Sequence, residues 1–305
     1  MYGLVLEGGG AKGAYHVGAY KAIRELNIEI GGIAGTSIGA INGAMMVQGD
    51  YDLLEKVWHS INSYELFDLD EKVIDDLKNF NLHDINFSYL LHQSKEILSN
   101  RGLDTSKIRE LFDNYIDEEK VRSSNIDFGI VTVNLTDKKP MELLKEDIPK
   151  GKLVDFLIAS ANLPAFRIEE MDGKKYLDGG FYNNLPIDIL ADKGYKDIIA
   201  VRTMAMGIVR RVKIKNLNVI YIQPVESLGS MLGSLDFNRE RAEGYIKLGY
   251  YDAMKVFKKL KGYKYYLAPF EGSFINVLVD FYNEYKEKLI NIGKFLGYED
   301  ICEDR

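Results

Sequence analysis

Apolar residues recur along the first half of the chain at two spacings, one typical of strands and one typical of helices. The runs Tyr2–Leu6 and Ile28–Ala34 are short and apolar, and each is followed by glycines and then by apolar residues at helical spacing. Farther along, Phe128–Leu135 is rich in β-branched residues and predicts a buried strand. The pattern therefore predicts an α/β fold, in which strands alternate with helices that cover both faces of the sheet.

The alternation continues to about residue 200 and then changes. Further strands are predicted at Pro140–Leu144, Ile198–Arg202 and Val219–Ile222, and helices at Tyr51–Ile61, after Thr105, at Lys152–Ser160, after Pro186, at Leu235–Lys259 and at Phe274–Phe295. We therefore expect an α/β domain over residues 2–200 and a mainly helical C-terminal extension, packed on it, over residues 201–305. The polar helical segment 62–104 interrupts the alternation, and it is either a cap over a site or a fixed packing subdomain.

A five-residue stretch, Gly35-Thr36-Ser37-Ile38-Gly39, lies between the second apolar run and the helix that follows it. A serine at such a strand–turn–helix junction adopts a strained backbone, and side chains two positions to either side would collide, which favours Gly35 and Gly39. The turn presents the Ser37 hydroxyl at a helix N-terminus, where backbone N–H groups and the helix dipole favour negative charge. The stretch indicates a nucleophilic serine, and a Gly/Ser turn without chemistry is the alternative.

A second glycine-rich element, Gly8-Gly9-Gly10-Ala11-Lys12-Gly13, follows the first predicted strand. Successive glycines let the backbone turn its N–H groups outward into a concavity that binds anions, such as the oxyanion of an acyl-transfer reaction. The same residues match the dinucleotide fingerprint G-x-G-x-x-G, which requires an acidic residue at the end of the next strand. Glu29 comes nearest but lies inside the second apolar run, so the oxyanion interpretation is favoured over nucleotide binding.

The histidines limit the kind of base that could activate a serine. They are His16, His59, His83 and His92, and all lie in the first third of the chain, so the order serine, acid, histidine of an α/β-hydrolase triad is excluded. Carboxylates remain as candidates. Asp178, which is followed by Gly179 and Gly180, has the close backbone access that a base in contact with a serine needs. An ordinary Asp-Gly-Gly turn is the alternative.

Three motifs in this order resemble those of the patatin-like phospholipase family: the glycine loop from Gly8 to Gly13, the serine stretch from Gly35 to Gly39 and the acid motif Asp178-Gly179-Gly180. Segment 159–166 before the acid, and Asn183 with Pro186 after it, are similar too. The resemblance covers residues 2 to about 200. It implies a three-layer α/β/α fold with a mainly parallel central sheet, and hydrolysis of acyl esters, commonly those of phospholipids.

The resemblance also implies a role for each motif. Ser37 would be the nucleophile and Asp178 the proton acceptor, in a catalytic dyad without histidine. The oxyanion would be held by N–H groups of Gly8, Gly9, Gly10 and Ile38. The remaining motif residues would support these groups: Lys12, Gly13, Gly35, Gly39, Gly179 and Gly180. A nucleotide-binding or non-catalytic lipid-binding protein that uses the glycine loop is the alternative function.

Composition and charge narrow the expected partners. The chain has 305 residues, of which 46% are hydrophobic, and a net charge of −7, which argues against nucleic acid as a partner. No His/Cys cluster has the spacing of a metal site, and no cofactor is expected. The single Cys302, the absence of a signal-peptide pattern and the absence of a long apolar run predict a cytoplasmic protein without a transmembrane segment. The expected ligand is a lipid or another acyl ester.

Two basic runs contrast with the acidic total. The first comprises Arg210, Arg211, Lys213 and Lys215, and the second comprises Lys255, Lys258, Lys259, Lys261 and Lys264. Such runs are usually solvated faces, but they also suit lipid headgroups. Peripheral contact with a membrane surface therefore stays open, and the sequence does not indicate an oligomeric state.

Overall fold

The computed structural model describes residues 1–63, 66, 105–164, 166, 170–229, 232–262 and 285. The chain divides into two units, Met1–Lys258 and Lys259–Arg305, and the elements given below belong to the first. The predicted cap at 62–104, apart from three positions, and the predicted helix at 274–295, apart from residue 285, lie outside the described residues. In the described part of the chain, no helix is long and apolar enough to cross a membrane.

The strands form a central sheet. In chain order they are β1 (Tyr2–Leu6), β2 (Ile30–Thr36), β3 (Asp127–Asn134), β4 (Lys139–Leu144), β5 (Glu170–Met171), β6 (Lys174–Asp178), β7 (Asp197–Val201) and β8 (Asn218–Ile222). Their order across the sheet is β5-β6-β3-β2-β1-β7-β8, and β4 pairs with β3 as well. The neighbouring pairs β3–β2, β2–β1, β1–β7 and β7–β8 are parallel. In contrast, β4 and β6 pair antiparallel with β3, and β5 pairs antiparallel with β6. The predicted α/β class with a mainly parallel centre is confirmed.

One edge of β3 is shared by two strands that meet end to end. β2 occupies this edge as far as Thr36, which lies opposite Val131. β6 takes over at the next residue, because Asp178 lies opposite Thr132. β4 pairs along the other edge of β3 over the same residues. The register of β3 therefore brings the end of β6 to the end of β2, although the two strands are far apart in sequence.

Helices cover both faces of the sheet. They are α1 (Ala14–Glu25), α2 (Ile38–Val47), α3 (Tyr51–Ser60), α4 (Ser106–Tyr115), α5 (Glu118–Ser123), α6 (Leu153–Ser160), α7 (Ile187–Asp192) and α8 (Arg239–Lys258). On one face, Val5 and Ala34 pack with Ile189 and Leu190 of α7. On the other face, Ile33 and Phe128 lie against Gly43 of α2. These helices confirm the pattern read from apolar spacing, except for α5, which was not predicted.

Helices α1 and α8 pack unusually closely. A Cβ atom on Gly18 would lie 1.8 Å from the Ile246 carbonyl oxygen, and one on Gly249 would lie 2.1 Å from that of Tyr15. Each glycine therefore admits the backbone of the other helix. Between them, the buried Tyr15 hydroxyl donates a hydrogen bond of 2.7 Å to the Asp252 carboxylate. The helix that follows the glycine loop is thus held by a helix from the C-terminal part of the chain.

Candidate active site

Ser37 lies between the end of β2 and the first residue of α2, in a strained conformation. Its backbone has φ 56° and ψ −128°. Residues other than glycine rarely adopt such a positive φ. The neighbouring glycines make the turn possible, because a Cβ atom on Gly35 would lie 2.3 Å from the backbone of Gly39. The turn predicted from the five-residue stretch is therefore present, and it presents Ser37 at a helix N-terminus.

Two hydrogen bonds from other segments hold this turn. The Ser37 N–H donates to the Ser160 hydroxyl at 2.9 Å, and the Thr36 hydroxyl donates to the Asn183 carbonyl at 2.8 Å. Ser160 ends α6, and Asn183 follows the acid motif. The serine turn is thus connected to the segments on both sides of Asp178 in sequence.

Asp178 ends β6 and is 3% exposed. Its Oδ1 accepts the Gly180 N–H at 2.7 Å, and its own N–H donates to the Asn162 carbonyl at 2.8 Å. Burial raises the pKa of this carboxyl to about 6, although the nearby Ser37 hydroxyl and the Gly180 N–H both favour the charged form.

The second oxygen of Asp178 lacks a well-formed partner. Oδ2 is buried, and no donor in the described part of the chain meets hydrogen-bond geometry with it. The Ser37 hydroxyl is nevertheless close enough to favour the charged form of this carboxyl, which lowers its pKa. A buried carboxylate with a raised pKa beside the Ser37 hydroxyl is suited to accept its proton.

The glycine loop begins where β1 ends and passes beside Ser37. The Gly8 N–H donates to the Asn184 carbonyl at 3.1 Å, so this predicted oxyanion donor is already engaged within the protein. Gly9 and Gly10 open a short 3₁₀ turn, and their N–H groups donate to no acceptor in the described residues. The Ile38 N–H is likewise free of an intrahelical partner, as first residue of α2. Of the four predicted donors, those of Gly9, Gly10 and Ile38 have no acceptor in the part of the chain that the structure describes.

Lys12 links the glycine loop to Gly229. Its side chain is buried, and Nζ donates to the Gly229 carbonyl at 3.1 Å. Burial lowers the pKa of Lys12, and the Arg241 cation lowers it further, whereas the Glu7 carboxylate raises it. A Cβ atom on Gly10 would lie 2.0 Å from the Ser234 carbonyl oxygen. The loop therefore leaves little room on the side that faces Gly229 and Ser234.

A buried acid that sequence reasoning missed holds the loop to β7. The Glu7 carboxylate accepts from Arg202 at 3.1 Å, from the Thr203 N–H at 2.8 Å and from the Met204 N–H at 2.9 Å. Burial raises the pKa of Glu7, although Arg202 and the backbone donors favour its charged form. The Thr203 hydroxyl also donates to the Gly8 carbonyl. A lone acid at the end of an apolar strand carries no motif, so only the fold reveals this role.

Asn184 is a second residue that the motifs did not single out. It is buried, and a Cβ atom added at Gly8, Gly180 or Gly207 would collide with its side chain. Its Nδ2 has no hydrogen-bond partner among the described residues. Asn184 therefore fills the space between the glycine loop and the acid motif.

His16 is a buried residue of α1 whose ring contacts Asn42. It is fully buried in α1, and burial lowers its pKa to about 3, so the ring is neutral at physiological pH. Its Nδ1 lies 3.3 Å from Nδ2 of Asn42, whose Oδ1 accepts from the Trp58 indole at 3.0 Å. This network packs α1, α2 and α3 together. In the described part of the chain, no group of three or more His, Cys, Asp or Glu could hold a metal ion.

Comparison with known proteins points to one family. A family model described as patatin-like phospholipase matches residues 4–191. Patatin-like phospholipase domain-containing protein ZK370.4 of Caenorhabditis elegans is 26% identical over 201 residues, and neuropathy target esterase sws of Drosophila melanogaster is 27% identical over 202 residues. Each alignment covers 65% of this chain but only 13% and 12% of those proteins. VipD of Legionella pneumophila aligns with a TM-score of 0.47 and 14% identity over 84% of this chain and 66% of VipD.

Proposed function

The chain belongs to the patatin-like phospholipase family, and from this premise we propose that it is a serine acyl-ester hydrolase that acts on lipids. Ser37 is the nucleophile, and Asp178 is the base that activates it directly. Phospholipids or lysophospholipids are the expected substrates. The curated relatives carry the words phospholipase and esterase in their names, and this chain spans about an eighth of their length, so the activity is proposed for this chain on its own geometry.

The reaction proceeds in two halves. Asp178 takes the hydroxyl proton of Ser37, and the alkoxide attacks the acyl carbonyl to give a tetrahedral intermediate. The intermediate collapses to an acyl-serine as the departing alcohol takes the proton from Asp178. A water molecule then gives its proton to Asp178 and attacks the acyl-serine, and Ser37 recovers that proton when the fatty acid leaves.

The negative oxygen of each intermediate needs hydrogen-bond donors. We narrow the donors to the N–H groups of Gly9, Gly10 and Ile38, because the Asn184 carbonyl already binds the Gly8 N–H. Gly8 then serves by its small size, since a Cβ atom there would lie 3.3 Å from the Ser37 Cβ and 2.2 Å from the Asn184 side chain. Loss of one oxyanion donor typically costs about 10²–10³-fold in kcat.

The single observation that supports this proposal best is the register on β3. Thr36 and Asp178 lie opposite consecutive residues of that strand, so the residue after Thr36 meets the carboxylate of Asp178. A carboxyl with a pKa of about 6 and no cation as partner is ionised at neutral pH and still basic enough to share a proton. The nucleotide-binding alternative requires an acid at the end of β2, whereas β2 ends at Thr36 and the serine follows.

The test combines labelling with kinetics on a short-chain ester below its micelle concentration. A fluorophosphonate probe is expected to label Ser37, and Ser37→Ala and Asp178→Asn are each expected to lower kcat/KM by at least about 10³-fold. Ser123→Ala and Asp192→Asn, which alter exposed residues, serve as matched controls and should retain full activity. Excess EDTA should change nothing, because every proposed group belongs to the chain.

Two results would contradict the proposal. Labelling of a different serine would remove Ser37 from its role, and a folded Asp178→Asn variant with wild-type kcat/KM would remove the base.

A further inference from the structure

The connection between β7 and β8 carries large exposed apolar side chains, and exposed basic ones follow them in sequence. Met204, Met206, Ile208 and Val209 are 46%, 62%, 51% and 45% exposed. Four exposed basic residues follow at once: Arg210, Arg211, Lys213 and Lys215. We call residues 204–215 the β7–β8 surface. Single exposed apolar residues are ordinary, but several of them close together in sequence and followed by basic residues indicate an interaction site.

The β7–β8 surface lies at the rim of the candidate active site. The Ile208 N–H donates to the Gly180 carbonyl at 2.8 Å, and the Ile208 carbonyl accepts from the Asn184 N–H at 2.7 Å. A Cβ atom on Gly9 would lie 3.0 Å from the Cβ of Ala205. The backbone of this surface is therefore joined to the acid motif and to the glycine loop, while the side chains of Met206 and Val209 are left to solvent.

The cations of the β7–β8 surface are exposed and have no acidic partner in the part of the chain that the structure describes. Within the described residues, Arg210, Arg211, Lys213 and Lys215 take part in no ion pair. The Arg210 guanidinium lies over the Tyr182 ring, 4.5 Å from its centroid, which leaves its charge in place. The chain as a whole carries −7, so this cluster is a local positive region on an acidic protein.

We propose that the β7–β8 surface docks the protein on the face of an anionic lipid bilayer. The apolar side chains enter the boundary between headgroups and acyl chains, and the cations that follow them meet lipid phosphates. This orientation turns the rim of the candidate active site toward the lipid. The inference rests on the proposed function, because docking would bring the site to a lipid substrate. An anionic bilayer matches the β7–β8 surface, because it offers an acyl layer to the apolar side chains and, directly above it, a layer of phosphates to the cations.

The first experiment measures sedimentation with sucrose-loaded vesicles of phosphatidylcholine, with and without 30% phosphatidylglycerol. It uses a Ser37→Ala background, so that the lipid is not consumed. Each Lys or Arg near an anionic surface contributes about fivefold in affinity. Arg211→Gln with Lys215→Gln is therefore expected to weaken binding to the anionic vesicles about 30-fold, and Met206→Ser with Val209→Ser at least about tenfold. Lys56→Gln with Lys150→Gln, which alters two exposed cations on other elements, is the matched control.

A second measurement does not depend on the stability of the double variants. With Cys302 replaced by Ser, Met206→Cys carries a polarity-sensitive fluorophore, and Lys150→Cys carries the same label as a control. A blue shift on adding anionic vesicles is expected at position 206 and not at position 150. Equal shifts at both positions, or none at position 206, would overturn the proposal.

The outcomes separate docking from catalysis. If the wild-type chain hydrolyses a monomeric ester but binds no anionic vesicle, or binds it equally after the β7–β8 substitutions, the docking proposal fails and the proposed function stands. If it binds through this surface but hydrolyses no ester, the proposed function fails and the docking site remains. Association of chains with one another instead of with vesicles would also refute the bilayer as partner.

Discussion

Replacing Asp178 by Asn should stabilise the protein, and by an amount that depends on pH. Burial raises the pKa of Asp178 from 3.8 to about 6. Between these values the folded protein keeps a proton that the unfolded chain has released. Wild-type stability is therefore lowered progressively as the pH rises through this window, and the loss is complete above the folded pKa. Asn cannot ionise, so the variant escapes this loss.

The magnitude follows from the shift. About two pH units at ~1.4 kcal/mol each amount to roughly 3 kcal/mol at pH 8, because the unfolded and folded chains are then both ionised. At pH 4 the same comparison gives less than ~1 kcal/mol, because this pH is close to the ordinary pKa of 3.8 and the unfolded chain has only begun to release its proton. The difference in stability between Asp178→Asn and wild type should thus grow by about 2–3 kcal/mol from pH 4 to pH 8. Any constant effect of the amide cancels in this comparison.

Urea unfolding at pH 4, 6 and 8 measures this difference, provided that each transition is two-state. In parallel, kcat/KM of the wild type on a monomeric ester should rise with pH, reach half its maximum near pH 6 and level off by pH 8, because only the ionised carboxylate can accept the Ser37 proton. The base thus imposes a stability cost in the pH range where it is active.

Asp192→Asn is the control for the stability measurement. Asp192 is exposed at the end of α7, so its Asn variant makes the same chemical change at a solvated position. A stability difference for Asp178→Asn that stays constant from pH 4 to pH 8 would refute the reasoning, as would a flat activity profile across this range.

Two further substitutions test groups around the dyad. Ser160→Ala removes the acceptor of the buried Ser37 N–H, so it should lower the free energy of unfolding by about 1–3 kcal/mol. In steady-state kinetics well below the melting temperature, it should lower kcat about tenfold and leave KM unchanged. Ser160→Thr, which keeps the hydroxyl, should recover much of kcat, and a rise in KM alone would argue against a positioning role. His16→Gln should lower stability in urea unfolding but leave kcat of the folded protein within tenfold of wild type, because the neutral, buried ring contacts Asn42 and not Ser37; loss of activity in a folded variant would revive a triad.

Local patterns predicted the serine turn well. Five neighbouring residues decide the positive φ of Ser37 and the collision that a Cβ atom at position 35 would make with Gly39. The flanking strand and helix follow from apolar spacing. The sequence could not show why Asp178 meets Ser37. That proximity depends on β6 pairing with β3 at the residue where β2 stops, and such a register between distant segments has no local signal.

The glycine loop illustrates a second limit. The sequence treats Gly8, Gly9 and Gly10 alike as donors, whereas one of them donates to Asn184 because the segment after the acid motif folds back onto the loop. Glu7 was missed for the same reason, since its partners Arg202 and Thr203 lie far along the chain, directly after β7. Pairing within the site is decided by tertiary contacts, and residue types alone do not show it.

The close packing of α1 against α8 has a consequence for how the protein is made. Tyr15 and Asp252, which join these helices, are 237 positions apart, and a ribosome that adds about 5–20 residues per second needs roughly 10–50 s to cover that distance. During this interval the face of α1 that includes Gly18 has no partner, and the glycine loop is attached directly to this helix. A nascent chain would therefore contain Ser37 well before α8 is available to hold the helix that follows the glycine loop.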